Sequence, residues 1–204
     1  MPRCAMLALM GLLFVATPVV AAEPAPHSTD PADAPAGRYL LDHSHASLIA
    51  RVSHMGLSHY TMRFDRFDAR YDYDPGKPET SQITVEIDAN SLDVGDAGLG
   101  QRFARQFLGA DQHPQITFVS AGVQQTSPGH GLLTGDLTLN GVTKPVSLDV
   151  TFNGSSPAFL GIGGYRMGFS ATADVKRSDY GLTSWESLVG DTVHLLIEVE
   201  FARK

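Results

Sequence analysis

Residues 133–152 read LTGDLTLNGVTKPVSLDVTF. Leu133, Leu137 and Leu139 alternate with polar residues up to Asn140-Gly141, and Val146, Leu148, Val150 and Phe152 resume the alternation beyond it. A period of two puts each set on one face of an extended strand. Asn and Gly both accept the positive φ of a type I′ turn, so the stretch predicts a two-residue β-hairpin. Pro145 falls near the start of the second strand, where a missing N–H donor is tolerated.

The same period extends outward in both directions. Ile83, Val85 and Ile87 alternate in QITVEID; Met167, Phe169, Ala171, Ala173 and Val175 do so later, and Val193, Leu195, Ile197, Val199 and Phe201 close the chain. In YTMRFDRFDARYDYD (60–74) the phase slips, because Phe64 and Phe67 are three apart while Phe67, Ala69, Tyr71 and Tyr73 share a face. One extra residue near Asp65-Arg66 restores both phenylalanines to one side, the signature of a β-bulge that bends a strand around a closed sheet. Only Leu99, Phe103 and Phe107 repeat at helical spacing. Eight or nine antiparallel strands with one short helix between Ser91 and Pro114 are therefore expected, and the bulge favours a barrel over a sandwich.

The N-terminus reads differently. A short basic start, an apolar run from Ala5 to Val20 and small residues at Val20 and Ala22 predict a cleaved secretory signal peptide over 1–22. Residues 23–37, rich in Pro and Ala, are expected to form a flexible leader, and 38–204 a single domain. The one cysteine, Cys4, lies within the signal peptide, so no disulfide, thiol catalysis or cysteine-bound metal is expected in the exported protein. The formal net charge is −7 with no basic run, which disfavours nucleic acid as a partner.

Several stretches in order resemble the YceI-like polyisoprenoid-binding proteins across Tyr39 to Phe201. They are Asp42-His43-Ser44, His54-Met55-Gly56, Phe64 with Phe67-Asp68, Ser91-Leu92-Asp93, Phe107-Leu108, His113-Pro114, Thr117-Phe118, Gly135 to Val146, and Arg177-Ser178-Asp179-Tyr180-Gly181. The resemblance implies an antiparallel lipocalin-like barrel of about eight strands around an apolar cavity. It implies an exported, periplasmic carrier of an isoprenoid lipid such as a polyprenyl phosphate or quinone, with no cofactor. An inner-membrane cytochrome or other inner-membrane protein is the implied partner, and a homodimer is compatible with the resemblance. Three departures stand out, the first being a segment between Ser91 and Pro114 about one residue shorter than the family pattern. Gly100-Gln101-Arg102-Phe103 replaces an acid-plus-histidine pairing in the helix, and Ala50 stands where a large aromatic is common, which predicts a wider tunnel.

Leu48, Ala50, Val52 and His54 share one face of HASLIARVSHMG (45–56), so an apolar stripe ends in an imidazole. A buried histidine stays neutral with a partner or finds a negative charge. His54 is thus read either as a structural group bonded to backbone or to Asp42, or as a donor to a lipid head group at the rim. The expected cavity and rim set is Leu48, Ala50, Val52, His54, Phe64, Phe67, Arg102, Phe103, Phe107, Phe118, Phe169, Arg177, Asp179, Tyr180 and Trp185. Arg102 and Arg105 are candidate phosphate donors, and Arg177 a candidate internal ion pair with Asp179.

No catalytic residue is expected. Ser44 lies between His43 and His45, but successive strand residues point to opposite faces, and neither a nucleophile elbow nor a phosphate loop occurs. The rival readings are a fatty acid or fatty amide carrier, a filled barrel serving as an interaction or stress protein, and a metal site built from His43, His45, His54 and His59. The last has neither cysteine nor helical His spacing behind it.

Overall fold

Residues 27–158 and 164–204 are described in the computed structural model. They form β1 (Gly37–His54), β2 (Ser58–Phe64), β3 (Phe67–Tyr73), β4 (Gln82–Asp88), the two-residue β5 (Leu92–Asp93), α1 (Ala97–Leu108), β6 (Gln115–Ser127), β7 (His130–Leu139), β8 (Val142–Pro157), β9 (Tyr165–Lys176) and β10 (Val189–Arg203). Antiparallel pairing runs β1-β3-β4-β6-β7-β8-β9-β10, and β10 returns to β1, closing a barrel of eight strands. Closure leaves the main sheet without a free edge.

The phase slip becomes a break between β2 and β3. Both pair with β1, β3 along its first half and β2 along its second. Asp65 and Arg66 leave the ladder there and are held by the neighbouring turn, with Asp65 N–H on Ser91 O at 3.1 Å and Asp88 N–H on Arg66 O at 3.0 Å. Phe64 and Phe67 consequently both face the interior. The predicted hairpin forms with Asn140 at φ 51° and Gly141 at φ 72°, joining Leu139 to Val142. Only glycine fits at 141, because a Cβ there would stand 2.6 Å from the His113 ring.

Helix α1 starts where Asp96 caps it, its carboxylate accepting from the Leu99 N–H at 2.8 Å. It ends at Gly109 in a left-handed conformation. Gly100 brings the helix onto β5, since a Cβ there would lie 2.4 Å from the Leu92 carbonyl oxygen. The helix therefore sits across one end of the barrel, with the β1–β2 turn, the Asn140-Gly141 turn and the β9–β10 connection.

The other end is packed solid. Tyr39, Leu41, Tyr73, Phe152, Met167 and Phe201 form a buried cluster with Ala34. The leader, expected to be flexible, is fixed where it is described. Ser28 pairs with Ser155, Pro31–Asp33 forms a 3₁₀ turn, and Tyr73 and Tyr39 donate their hydroxyls to the carbonyls of Pro31 and Pro35, each at 2.7 Å. The physical reason is that two buried tyrosines need acceptors, and this segment supplies them while covering the plug. The signal peptide expected over 1–22 lies outside the described residues.

Candidate functional site

Interior side chains diverge above the plug. Alternation turns Leu48, Ala50 and Val52 of β1 inward with Val85, Phe118, Leu137, Leu148, Ala173, Leu195 and Ile197 of the other strands, and they enclose a cavity of about 360 Å³. Val193, Leu195, Ile197 and Val199 point into it yet are only half-buried, as expected of wall residues around an unfilled lumen. The barrel is thus filled at one end and hollow towards α1. The volume lies near the lower end of the range for small-molecule sites, about 300–1,000 Å³.

Twelve of the fifteen residues singled out above stand at the cavity wall: Leu48, Ala50, Val52, His54, Phe64, Phe67, Phe103, Phe107, Phe118, Phe169, Arg177 and Trp185. Arg102 and Asp179 are exposed outside it, and Tyr180 is buried in the surrounding core. Ser81, Tyr60 and Tyr71 also line the cavity and were not singled out. Tyr60 is legible from β2, two residues before Met62 and four before Phe64; Ser81 lies in a turn, where no periodicity exists to read.

Tyr71 and Ser81 stand beside the plug, whereas the polar wall residues His54, Tyr60 and Arg177 gather at the α1 end. His54 faces the lumen there and meets the Tyr60 ring at 6.4 Å. It has no contact with Asp42, which the bulged outer segment of β1 directs elsewhere: to Ser44, to His45 and to Arg166 at 2.5 Å. From Tyr60 an aromatic chain crosses the barrel mouth, Tyr60 to Phe103 at 5.8 Å, Phe103 to Phe107 at 5.1 Å and Phe107 to Trp185 at 5.7 Å.

Arg177 differs from expectation. It does not pair with Asp179; its guanidinium donates to the carbonyls of Gly190 (2.9 Å), Leu182 (2.6 Å), Ser184 (2.9 Å) and Val189 (2.9 Å). The loop folds back over the buried side chain, so carbonyls take the place of a carboxylate. Nearly all of the fork is spent on the protein itself.

Two alternative sites resolve in the same way. The four histidines do not converge: His54 is inside, His43 reaches Asp68 at 3.6 Å, and His59 lies against His194 with ring centres 6.2 Å apart. Among the described residues the one group of three metal-ligand side chains is Asp42, His45 and Glu200, and Arg166 bridges its two carboxylates. Ser44 and His45 were expected on opposite faces, but register slips between Leu41 and Ala46 and gathers them with Asp42. The Ser44 hydroxyl donates to Asp42 at 2.5 Å, and one atom, His45 Nδ1, meets both Ser44 (3.1 Å) and Asp42 (3.1 Å). A relay requires the two imidazole nitrogens to serve different partners. The Ser44 hydroxyl, followed by Arg166, holds the Asp42 carboxyl well below the usual range, which makes it a poor base.

The YceI-like domain matches residues 39–201. The chain belongs to the YceI-like family. A UPF0312 protein of Ectopseudomonas mendocina is 35% identical over 172 residues, spanning 83% of this chain and 89% of its own. Another from Yersinia enterocolitica is 34% identical over 173 residues, covering 82% and 88%. Among solved structures, Burkholderia cenocepacia BcnA superposes with a TM-score of 0.69 at 24% identity, over 78% of this chain and 98% of its own. A polyisoprenoid-binding domain from Saccharophagus degradans superposes at 0.59 with 15% identity, over 83% and 100%. At such identities the likeness of both concerns the fold, and that fold is the hollow barrel described here. A YceI-like barrel with an apolar lumen is a binding architecture.

Proposed function

We propose that this YceI-like protein is an exported, periplasmic carrier of an amphipathic isoprenoid lipid, with the tail in the lumen and the head at the α1 end, and without chemistry of its own. The observation that carries the reading is the lumen itself: an apolar wall, a packed floor and, at the α1 end, a rim that carries His54, Tyr60 and Arg177. An apolar tail gains about 0.8 kcal/mol per buried methylene relative to water, but a lipid in a bilayer already has that gain. Discrimination therefore falls to the length of the lumen and the groups at its rim.

Those groups favour a neutral head over a diphosphate. Arg177 is occupied by four carbonyls and Arg102 stands outside the wall, so no open guanidinium fork stands at the lumen wall to take a phosphate. His54 is free to donate one hydrogen bond to a quinone carbonyl. A quinone cargo also fits an inner-membrane cytochrome as the partner that takes or returns it.

Purification from the native source, followed by solvent extraction and mass spectrometry, tests the reading. A stoichiometric isoprenoid quinone is expected, and it should be absent from a folded Ala50→Trp variant, whose new indole would fill the lumen from β1. A fatty acid or fatty amide would overturn the isoprenoid assignment and leave a lipid carrier. An unchanged cargo in Ala50→Trp would place binding outside the lumen. A folded wild-type protein without lipid would favour an interaction or stress role.

A further inference from the structure

Six large apolar side chains among the described residues are strongly exposed, and four of them meet at the α1 end: Met55 (55% exposed), Leu57 (83%), Trp185 (53%) and Leu188 (41%). Met55 and Leu57 form the β1–β2 turn, Trp185 and Leu188 the β9–β10 connection. The two tips are joined, the Met55 N–H donating to the Leu188 carbonyl at 2.7 Å. Single exposed apolar residues are ordinary on protein surfaces; several at one place mark an interaction site.

The backbone holds these side chains out at a cost. Only three non-glycine residues among those described have positive φ, and two are Met55 (54°) and Trp185 (55°). The third, Asn140, has a residue type suited to that conformation; a bulky apolar side chain there is strained. Both positions would be met more cheaply by glycine, so stability alone does not explain the choice.

The patch is also continuous with the lumen. Trp185 lines the cavity with one face and reaches solvent with the other. Beside it, α1 is tied to the loop by the Ser184 hydroxyl donating to the Gln106 carbonyl at 3.3 Å, and it turns Arg102 and Arg105 outward. Neither arginine is in an ion pair among the described residues, whereas Arg38, Arg63, Arg66, Arg70 and Arg166 all are. Glu186 is the one acid within the Trp185–Leu188 tip. Indole and arginine side chains beside inserted aliphatic ones match the layered chemistry of a membrane interface, where phosphates lie above acyl chains.

We propose that the α1 end of the barrel docks on a phospholipid bilayer. Met55, Leu57, Trp185 and Leu188 enter the interfacial layer, and Arg102 and Arg105 face lipid phosphates. In this pose the lumen opens directly onto the acyl layer. The docking stands whether or not the lumen carries an isoprenoid.

Trp185 is the only tryptophan of the chain and serves as an intrinsic probe. With phosphatidylethanolamine–phosphatidylglycerol vesicles, its emission should shift to the blue and be quenched by brominated acyl chains. The Leu57→Asp/Leu188→Asp double variant, altered only at exposed tips, should keep its circular dichroism and lose roughly tenfold or more of its vesicle partition. Arg102→Glu/Arg105→Glu should lose partition at low salt and less at high salt. Equal partition of wild type and the leucine variant, or no spectral shift, would overturn the proposal. So would a variant that converts a dimer to a monomer with vesicle binding unchanged, which would assign the patch to a second copy. Extraction of lipid from the same variants is scored separately, so an empty lumen would count against the carrier reading alone.

Discussion

Phe107 of α1 meets Trp185 of the β9–β10 connection edge to face, ring centres 5.7 Å apart at 87°. One side chain from a helix and one from a loop thus close the chain of rings across the mouth of the lumen. Phe107 also packs on Phe103 at 5.1 Å. Phe107→Ala removes both contacts, each worth about 0.5–1.5 kcal/mol. Thermal melting should show a loss of about 2 kcal/mol, and stopped-flow exchange of a bound fluorescent lipid should be about tenfold faster. Unchanged exchange would mean that cargo does not pass this gate.

Gly100→Ala tests how the helix is seated. The new methyl would stand 2.4 Å from the Leu92 carbonyl oxygen, a backbone atom that cannot swing aside. Alanine is otherwise the better helix former, so an isolated helix would gain about 1 kcal/mol. Here a net loss of about 2–3 kcal/mol is expected from overpacking, with the melting temperature falling by about 5–10 °C. A stabilised variant would show that α1 is free to lift away from β5.

Much of this architecture is legible in the chain because a closed sheet imposes one rule on every strand. Residues such as Val193, Leu195 and Ile197 announce their face by period two, and Phe64 and Phe67 reveal the break between β2 and β3 through its failure. What escapes is set by irregular backbone. Asp42, Ser44 and His45 come together only because β1 slips register against β10 there, and Arg177 finds its carbonyls through a loop with no periodicity. The hollow itself is a matter of summed volume, Ala50 against Phe118 and Leu148 across the lumen, which no local pattern encodes.

Arg177→Lys separates charge from shape. The arginine is 7% exposed and joins Leu182, Ser184, Val189 and Gly190 through four donated bonds. Lysine keeps the charge but offers a point donor in place of a planar fork, so it leaves carbonyls unsatisfied. Each costs about 1–3 kcal/mol when buried. A loss of about 3 kcal/mol is expected, with amide exchange of the loop around residues 182–190 accelerating more than that of the barrel strands. Exchange that speeds up uniformly would show that Arg177 supports the whole barrel and not the loop.

Asp42 sets an acid limit on the fold. Its carboxyl is depressed by the Ser44 hydroxyl first and by Arg166 next, against the opposing effect of burial, and its side chain is 17% exposed. A depressed carboxyl contributes stability that is fully present above its unfolded pKa, about 3.9, and is lost as pH falls toward the folded value. Asp191, held down by the Ser178 N–H and hydroxyl at 2.9 Å each, loses its share in the same direction. Asp42→Asn should therefore cost about 2 kcal/mol at neutral pH, the worth of a charge-assisted bond in a partly shielded site. Below about pH 4 the wild type should give up that advantage, and the melting curves of the two proteins should converge. A gap that stays constant down to pH about 2 would assign the role of Asp42 to hydrogen-bond geometry rather than to its charge.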